Sequence, residues 1–181
     1  MSHRRDFEIA FVGLKPGIHE YSFEVTDKFF DAFQKQDFTN CHATIKLMLE
    51  KRPGFLLLKF EIGGSVELTC DRCNNSLPFQ LWDEFNMTVK MVDEPGKMND
   101  QEEDPDVFYI SRGESHINLE NWIYEFINLS IPMQKTCDYE NMDGPYCNKA
   151  AKDILKKMDP IKEKKENPIW KDLEKFKNLD K

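Results

Sequence analysis

Apolar and polar residues alternate with a period of two through much of the first half of the chain, at residues 41–50, 56–62, 66–70 and 77–91. This period leaves one apolar face and is typical of a half-buried strand. Arg52-Pro53-Gly54 and Gly63-Gly64 are turn signals between these strands. Links this short exclude parallel crossovers, so the pattern predicts an antiparallel meander. The segment 9–25 predicts further strands, followed by a short helix over 27–33.

The pattern changes to helical spacing after Asn118. The apolar residues on this stripe are Leu119, Trp122, Ile123, Phe126 and Ile127. Steps of three and four predict an amphipathic helix that packs on the sheet, with Asn118 as its N-cap and Pro132 at its end.

Shorter helices are predicted in the C-terminal segment. One covers residues 154–158, and a second begins at Asn167-Pro168 and places Trp170, Leu173 and Phe176 on one face. We therefore expect an α+β protein, with an antiparallel sheet, a packed amphipathic helix and short C-terminal helices. Residues 1–148 would form a single domain, and 149–181 a helical extension.

Composition fits a soluble globular protein, with 40% hydrophobic and 32% charged residues among 181. The longest apolar run, residues 55–58, is far shorter than the roughly 20 residues of a membrane span. No apolar region follows the basic residues at the N-terminus, so a secretory signal is not expected. We predict a cytoplasmic protein without a membrane partner.

Charge is distributed unevenly along the chain. The net charge of −8 has the wrong sign for a protein that coats nucleic acid. Residues 93–106 carry seven acids and one lysine, a net −6, and their lack of apolar periodicity predicts a mobile loop. This segment lacks the ligand spacing of a calcium loop. Residues 149–181 carry eleven lysines and seven acids, a net +4.

Five cysteines in a cytosolic chain favour metal binding or redox chemistry over a disulfide framework. Cys70 and Cys73 form a C-x₂-C at a predicted turn between strands, which is half of a tetrahedral zinc site. Cys137 and Cys147 lie past the helix, at a longer spacing than a usual half-site. Cys41 lies on the apolar face of its strand, so we expect a small core residue.

Three interpretations of the paired cysteines stay open. Four thiolates complete the coordination shell of a closed, structural Zn²⁺ site. A redox C-x-x-C needs a helix directly after it, but a strand is predicted there. The third interpretation is four unliganded buried thiols. The four histidines show no metalloenzyme spacing, and no nucleophile or nucleotide-binding motif is present, so we expect no enzymatic activity and no small-molecule substrate.

Several segments together resemble a known family. They are Gly13-Leu14-Lys15-Pro16-Gly17 through Phe29-Phe30, Leu68-Thr69-Cys70-Asp71-Arg72-Cys73, Ile117-Asn118-Leu119, Leu129-Ser130-Ile131-Pro132-Met133 with Cys137, and Asn167-Pro168-Ile169-Trp170. Their order and spacing resemble the bacterial YceD family, the large ribosomal RNA subunit accumulation proteins. The chain departs from that pattern in its sparser second cysteine cluster and in Ile169, where relatives commonly carry arginine.

The resemblance implies a cytoplasmic, non-enzymatic factor in the synthesis, processing or stability of large-subunit ribosomal RNA. Its partner would be that RNA, an assembly intermediate or a ribosomal protein. From the residues themselves, the phosphate contacts are predicted at Lys156, Lys157, Lys164 and Lys165. The alternative is a zinc-stabilised adaptor that presents a surface to an acyl-lipid or ribosomal protein partner without binding RNA directly; the overall acidity favours it.

Overall fold

A computed structural model describes residues 6–137 and 147–158 of the chain. The strands in these stretches are β1 (Glu8–Ile9), β2 (Gly17–Thr26), β3 (Thr39–Arg52), β4 (Phe55–Thr69), β5 (Ser76–Val92), β6 (Val107–Ser111) and β7 (Ile117–Asn118). The helices are α1 (Asp27–Phe30), α2 (Pro95–Gln101), α3 (Glu120–Leu129) and α4 (Lys149–Met158). The expected mixture of helix and strand is present, and strands predominate.

A five-stranded sheet in the order β2-β3-β4-β5-β6 forms the centre of the fold. Strands β2 to β5 pair antiparallel with their neighbours, as the alternation predicted. The tight β3–β4 turn contains Gly54 at a φ of 84°, a left-handed conformation that glycine adopts without a steric cost. Strands β1 and β7 pair separately as a two-stranded antiparallel ribbon.

The last strand of the sheet corrects the prediction of a purely antiparallel meander. Strand β6 runs parallel to β5, with Thr88 opposite Val107 and Val92 opposite Ser111. The chain between these strands, residues 93–106, contains α2. A helix-containing link of this length is long enough for a parallel crossover, which the shorter hairpin turns are not.

The turn predicted at Gly63-Gly64 is wrong. Both glycines lie inside β4, which continues without a break from Phe55 to Thr69. Gly64 has a φ of 141° and lies opposite Ala43 of β3. The two backbones approach closely at this point, and glycine is required here for contact rather than for a turn.

The acidic segment 93–106 is also more ordered than the predicted mobile loop. The Asn99 side chain in α2 donates a hydrogen bond to the backbone carbonyl of Tyr109 (2.9 Å) and accepts one from its N–H (2.8 Å). The Tyr109 hydroxyl donates to the carboxylate of Glu102 at 2.6 Å. These bonds attach α2 and the residues after it to β6.

The hydrophobic core lies on one face of the sheet, here called the inner face. It contains the alternating residues that the sequence predicted, including Ile45, Leu47, Leu49, Leu56, Leu58, Leu77 and Val89, all at most 1% exposed. Helix α3 covers this face, because Phe126 stacks on Phe85 (centroids 4.3 Å apart) and meets Phe60 edge-on (5.1 Å). Such ring pairs add to the stability gained by burial.

Helix boundaries differ slightly from the sequence prediction. Helix α3 begins at Glu120, whose backbone N–H donates to the side chain of Asn118 at 2.8 Å. Its end at Leu129 precedes Pro132, as expected. Helix α1 is shorter than the predicted 27–33 segment, and α4 begins five residues before the predicted 154–158 helix. The helix predicted from Asn167 lies outside the described residues.

Among the residues that the structure describes, no helix combines the length and apolar character needed to cross a bilayer.

Candidate metal centre

The first cysteine pair lies at the turn between β4 and β5. Cys70 follows the last residue of β4, and its backbone N–H donates to the carbonyl of Asn75 at 2.8 Å. Its carbonyl accepts from the N–H of Asn74 at 2.9 Å, and Asn74 has a φ of 58°. This left-handed residue reverses the chain, so that Cys70 and Cys73 lie close together.

Backbone contacts bring the chain beyond α3 against this turn. The N–H of Asp71 donates to the carbonyl of Lys135 at 2.8 Å, and the N–H of Lys135 donates back to the Asp71 carboxylate at 2.7 Å. The Lys135 ammonium pairs with Asp37 at 2.5 Å. This reciprocal contact places Cys137, two residues later, beside the turn. Sequence reasoning missed Asp71 and Lys135, because nothing in their spacing links positions 64 residues apart.

All four paired cysteines meet in one cluster. The Sγ atoms of Cys70 and Cys147 lie 3.8 Å apart, those of Cys73 and Cys137 lie 3.7 Å apart, and no two of the four are separated by more than 4.8 Å. Cys73 is half-buried, and the other three thiols are buried. Sulfurs at the corners of a tetrahedron around zinc, with Zn–S bonds of about 2.3 Å, stand about 3.8 Å apart. The spacing and the donor type therefore fit a tetrahedral metal site.

The geometry disfavours the redox interpretation. A redox C-x-x-C usually stands at a helix N-terminus, which lowers the pKa of its first thiol. Here β5 follows from Ser76 onward, so the turn lacks a helix dipole.

Local electrostatics favour a thiolate at Cys70. Burial raises the pKa of this thiol, but hydrogen bonds from the backbone at Arg72, Cys73 and Cys137 outweigh that effect and lower the pKa to about 6. Burial and the neighbouring sulfurs raise the pKa of Cys137. Crowded sulfurs cannot all ionise without a compensating cation, and a bound metal supplies that charge by displacing their protons.

Cys41 is confirmed as a core residue separate from the cluster. Its side chain is 1% exposed, and its Sγ lies 4.0 Å from the carbonyl of Val25. Burial, assisted by the charge of Asp27, raises its pKa to about 12. Its Sγ is not among the four clustered sulfurs, so Cys41 is not placed to share a metal with them.

An open cavity of about 890 Å³ lies beside the cluster. Its lining includes the half-buried Cys73, the basic residues Lys35, Arg72 and Lys135, and the acidic residues Asp37 and Asp71. Mixed charge of this kind gives no preference for an anionic ligand. Cys73, the half-buried cysteine of the cluster, is its most accessible thiol.

The four lysines predicted to contact RNA are only partly within the described residues. Lys157 lies on α4 with its side chain exposed, and Lys156 lies on the same helix. Lys164 and Lys165 lie outside the described residues, as do Trp170 and Phe176. The RNA contact of these lysines stays a prediction.

Comparison with known protein families finds a match over most of the chain. The family described as Large ribosomal RNA subunit accumulation protein YceD matches residues 58–177, two thirds of the chain. The matched region contains β5, α3 and all four clustered cysteines. No curated protein and no solved structure matches the chain.

Proposed function

Because the chain belongs to the YceD family of large ribosomal RNA subunit accumulation proteins, we propose that it is a cytoplasmic, non-enzymatic factor in the synthesis, processing or stability of that RNA. The observation that carries this proposal is the family match over residues 58–177. The family name states an effect on RNA accumulation, and a factor that binds RNA or an assembly intermediate would have that effect without catalysing a reaction.

The cysteine cluster is proposed to hold one structural Zn²⁺. Four thiolates from Cys70, Cys73, Cys137 and Cys147 form a closed shell without an open position for substrate, which is the donor set of structural sites. The Cys70 turn and Cys137 are more than 60 residues apart in sequence but joined in space. A metal there would fix the chain beyond α3 to the sheet.

The alternative is a zinc-stabilised adaptor that contacts a ribosomal protein and not the RNA. The net charge of −8 favours it, because a negatively charged surface repels phosphate. The two functions predict different binding by the purified, metal-loaded protein. A direct RNA binder should bind RNA with an affinity that falls as the salt concentration rises. An adaptor should bind its protein partner equally well before and after nuclease treatment.

Depletion of the protein in its own cells tests the proposed role. The ratio of large-subunit to small-subunit ribosomal RNA should fall as the protein disappears, and re-expression of the wild-type chain should restore it. A Cys70→Ser chain should restore it less well, and the Cys41→Ala chain should serve as the matched control. An unchanged ratio in fully depleted cells would contradict the role, whatever the metal content of the protein.

A further inference from the structure

The face of the sheet opposite the core, here called the outer face, is solvent-accessible across strands β2 to β5. The residues on it are Ile18, Glu20, Ser22, Glu24, Thr44, Lys46, Met48, Glu50, Leu57, Lys59, Glu61, Gly63, Ser65, Gln80, Trp82, Glu84, Asn86 and Thr88. None of them is buried. The helix that covers the core, α3, packs on the inner face through Phe126.

Trp82 is the largest side chain on this surface and is 82% exposed. Its cross-strand neighbour is Gly63, and a Cβ at Gly63 would meet no atom within 4 Å. The indole ring therefore stands beside bare backbone, without a side chain directly opposite it on β4. A tryptophan left so exposed is unusual in a protein surface and is typical of an energetic anchor in an interface.

Two carboxylates, Glu61 and Glu84, lie next to Trp82 on the sheet, and a third, Glu24, lies three strands away in the same row. The strand register aligns Trp82 with Gly63, Thr44 and Glu24 in one row across the sheet. The next row contains Glu61 opposite Glu84, together with Lys46 and Ser22. These two rows carry three carboxylates and one ammonium.

The ammonium of Lys59 contacts two of these acids and does not neutralise all three. Lys59 lies 3.2 Å from Glu61 and 3.0 Å from Glu84 and is shared between them. Shallow grooves of about 430 and 280 Å³ on the same face share Met48 and Lys59 in their lining. The surface therefore combines an aromatic anchor, an apolar methionine and excess negative charge.

We propose that the outer face around Trp82 docks a basic segment of a partner protein. An arginine or lysine over the indole gains a cation–π interaction while the flanking carboxylates pair with neighbouring basic residues. An RNA strand also stacks on aromatic rings, but its phosphates would meet the carboxylates of Glu24, Glu61 and Glu84. This docking surface is separate from the cysteine cluster and does not depend on the metal.

The test uses full-length, metal-loaded protein and a fluorescein-labelled twelve-residue peptide of alternating arginine and glycine. Fluorescence anisotropy should show salt-sensitive binding of this peptide. The exposed Trp82 can be removed without loss of packing, so Trp82→Ala should fold normally and weaken binding by about fivefold or more. The Glu24→Gln/Glu61→Gln variant should weaken it too. The matched control is Met133→Ala, which removes a fully exposed apolar side chain elsewhere and should bind as the wild type does.

Four results would overturn the proposal. The first is a peptide affinity that is undetectable, or that Trp82→Ala leaves unchanged. The second is tighter binding of a twelve-nucleotide uridine RNA that Trp82→Ala abolishes, which would assign the surface to RNA. The third is a dimer in sedimentation equilibrium that Trp82→Ala dissociates, which would assign it to a second copy of this chain. The fourth is peptide binding that appears only after Lys162, Lys164 and Lys165 are changed to Gln. This result would show that the chain's own basic segment occupies the surface in the wild type.

Discussion

Gly64 of β4 lies directly opposite Ala43 of β3, and a Cβ on Gly64 would stand 2.7 Å from the Ala43 Cα and 2.2 Å from the carbonyl oxygen of His42. Both of these atoms belong to backbone, so neither can rotate away. The adjacent Gly63 has open space at the same position. Two neighbouring glycines of one strand therefore have different physical roles.

This difference predicts opposite outcomes for two similar substitutions. Gly64→Ala should destabilise the protein by about 3 kcal/mol, because the methyl group forces β3 and β4 apart and the residue holds a φ of 141°. Gly63→Ala should change stability by less than about 1 kcal/mol. Urea unfolding monitored by circular dichroism measures both. Equal losses in the two variants would show that strand propensity, and not the Ala43 contact, determines the effect.

The metal proposal predicts about one zinc per chain in untagged protein purified without chelator or oxidant. Cys70→Ser should lose most of that metal, because it removes one of four ligands, a thiol whose pKa is lowered to about 6. Cys41→Ala should keep it and lose about 1 kcal/mol of stability as a small core truncation. Elemental analysis by mass spectrometry measures the content. Metal-free wild-type protein, or zinc lost from Cys41→Ala, would contradict the assignment.

The Cys41 thiol predicts a specific dependence of stability on pH. Its pKa is raised to about 12 in the folded state, whereas an unfolded cysteine titrates near about 8.5. The unfolded state therefore releases its proton first, and the contribution of this thiol is complete below about pH 8.5 and declines as the pH rises toward 12.

The free energy of unfolding of the wild type should fall by about 1–2 kcal/mol more than that of Cys41→Ala between pH 8 and pH 10. Urea titrations of both proteins across this range measure the difference. In the folded protein, Cys41 should also resist alkylation by iodoacetamide at pH 8.5. Parallel pH profiles of the two proteins would show that the thiol is not protected in solution.

Asn99 is expected to hold the acidic segment against the sheet. Asn99→Ala removes two hydrogen bonds to the Tyr109 backbone and should cost about 1–2 kcal/mol. Gln101→Ala, an exposed position of the same helix, is the matched control and should cost little. Amide hydrogen exchange at Tyr109 measures the local effect. Unchanged protection in Asn99→Ala would restore the sequence-based view of residues 93–106 as a mobile loop.

How far the sequence predicts this fold depends on the range of each interaction. Alternation along β3, β4 and β5 predicts the strands and their inner face, because burial depends on every second residue. The same alternation predicts that Trp82 points outward, away from the core. The turn predicted at Gly63-Gly64 is wrong because a glycine pair suits both a turn and a close contact between strands. Only the position of the partner strand distinguishes the two.

The candidate metal centre shows the same limit. Counting cysteines predicts that Cys70 and Cys73 form half of a site, since they are neighbours at one turn. The proximity of Cys137 depends on the contact of Asp71 with Lys135, which no local pattern reveals. The parallel pairing of β6 likewise depends on the link through α2, and α2 has no buried apolar residues that would have predicted it.

Association with the large ribosomal subunit is the final prediction, and it rests on the proposed function. Full-length protein in a cell lysate should sediment with large-subunit particles or their precursors at low salt, because the family is linked to accumulation of that RNA. Residues 149–181 carry a net charge of +4 and are the expected phosphate contacts. Reversing Lys156, Lys157, Lys164 and Lys165 to Glu should therefore move protein toward the top of the gradient and reduce the salt dependence of what remains bound.

The matched control reverses four exposed basic residues elsewhere, Lys15, Lys28, Lys35 and Lys97, and should sediment nearly as the wild type does. Equal displacement by both variants would mean that total charge, and not the C-terminal segment, governs binding. If intact protein stays at the top of the gradient at every salt concentration and growth stage, direct ribosomal association is wrong. In that case the adaptor function, tested through the basic peptide and Trp82, becomes the better account.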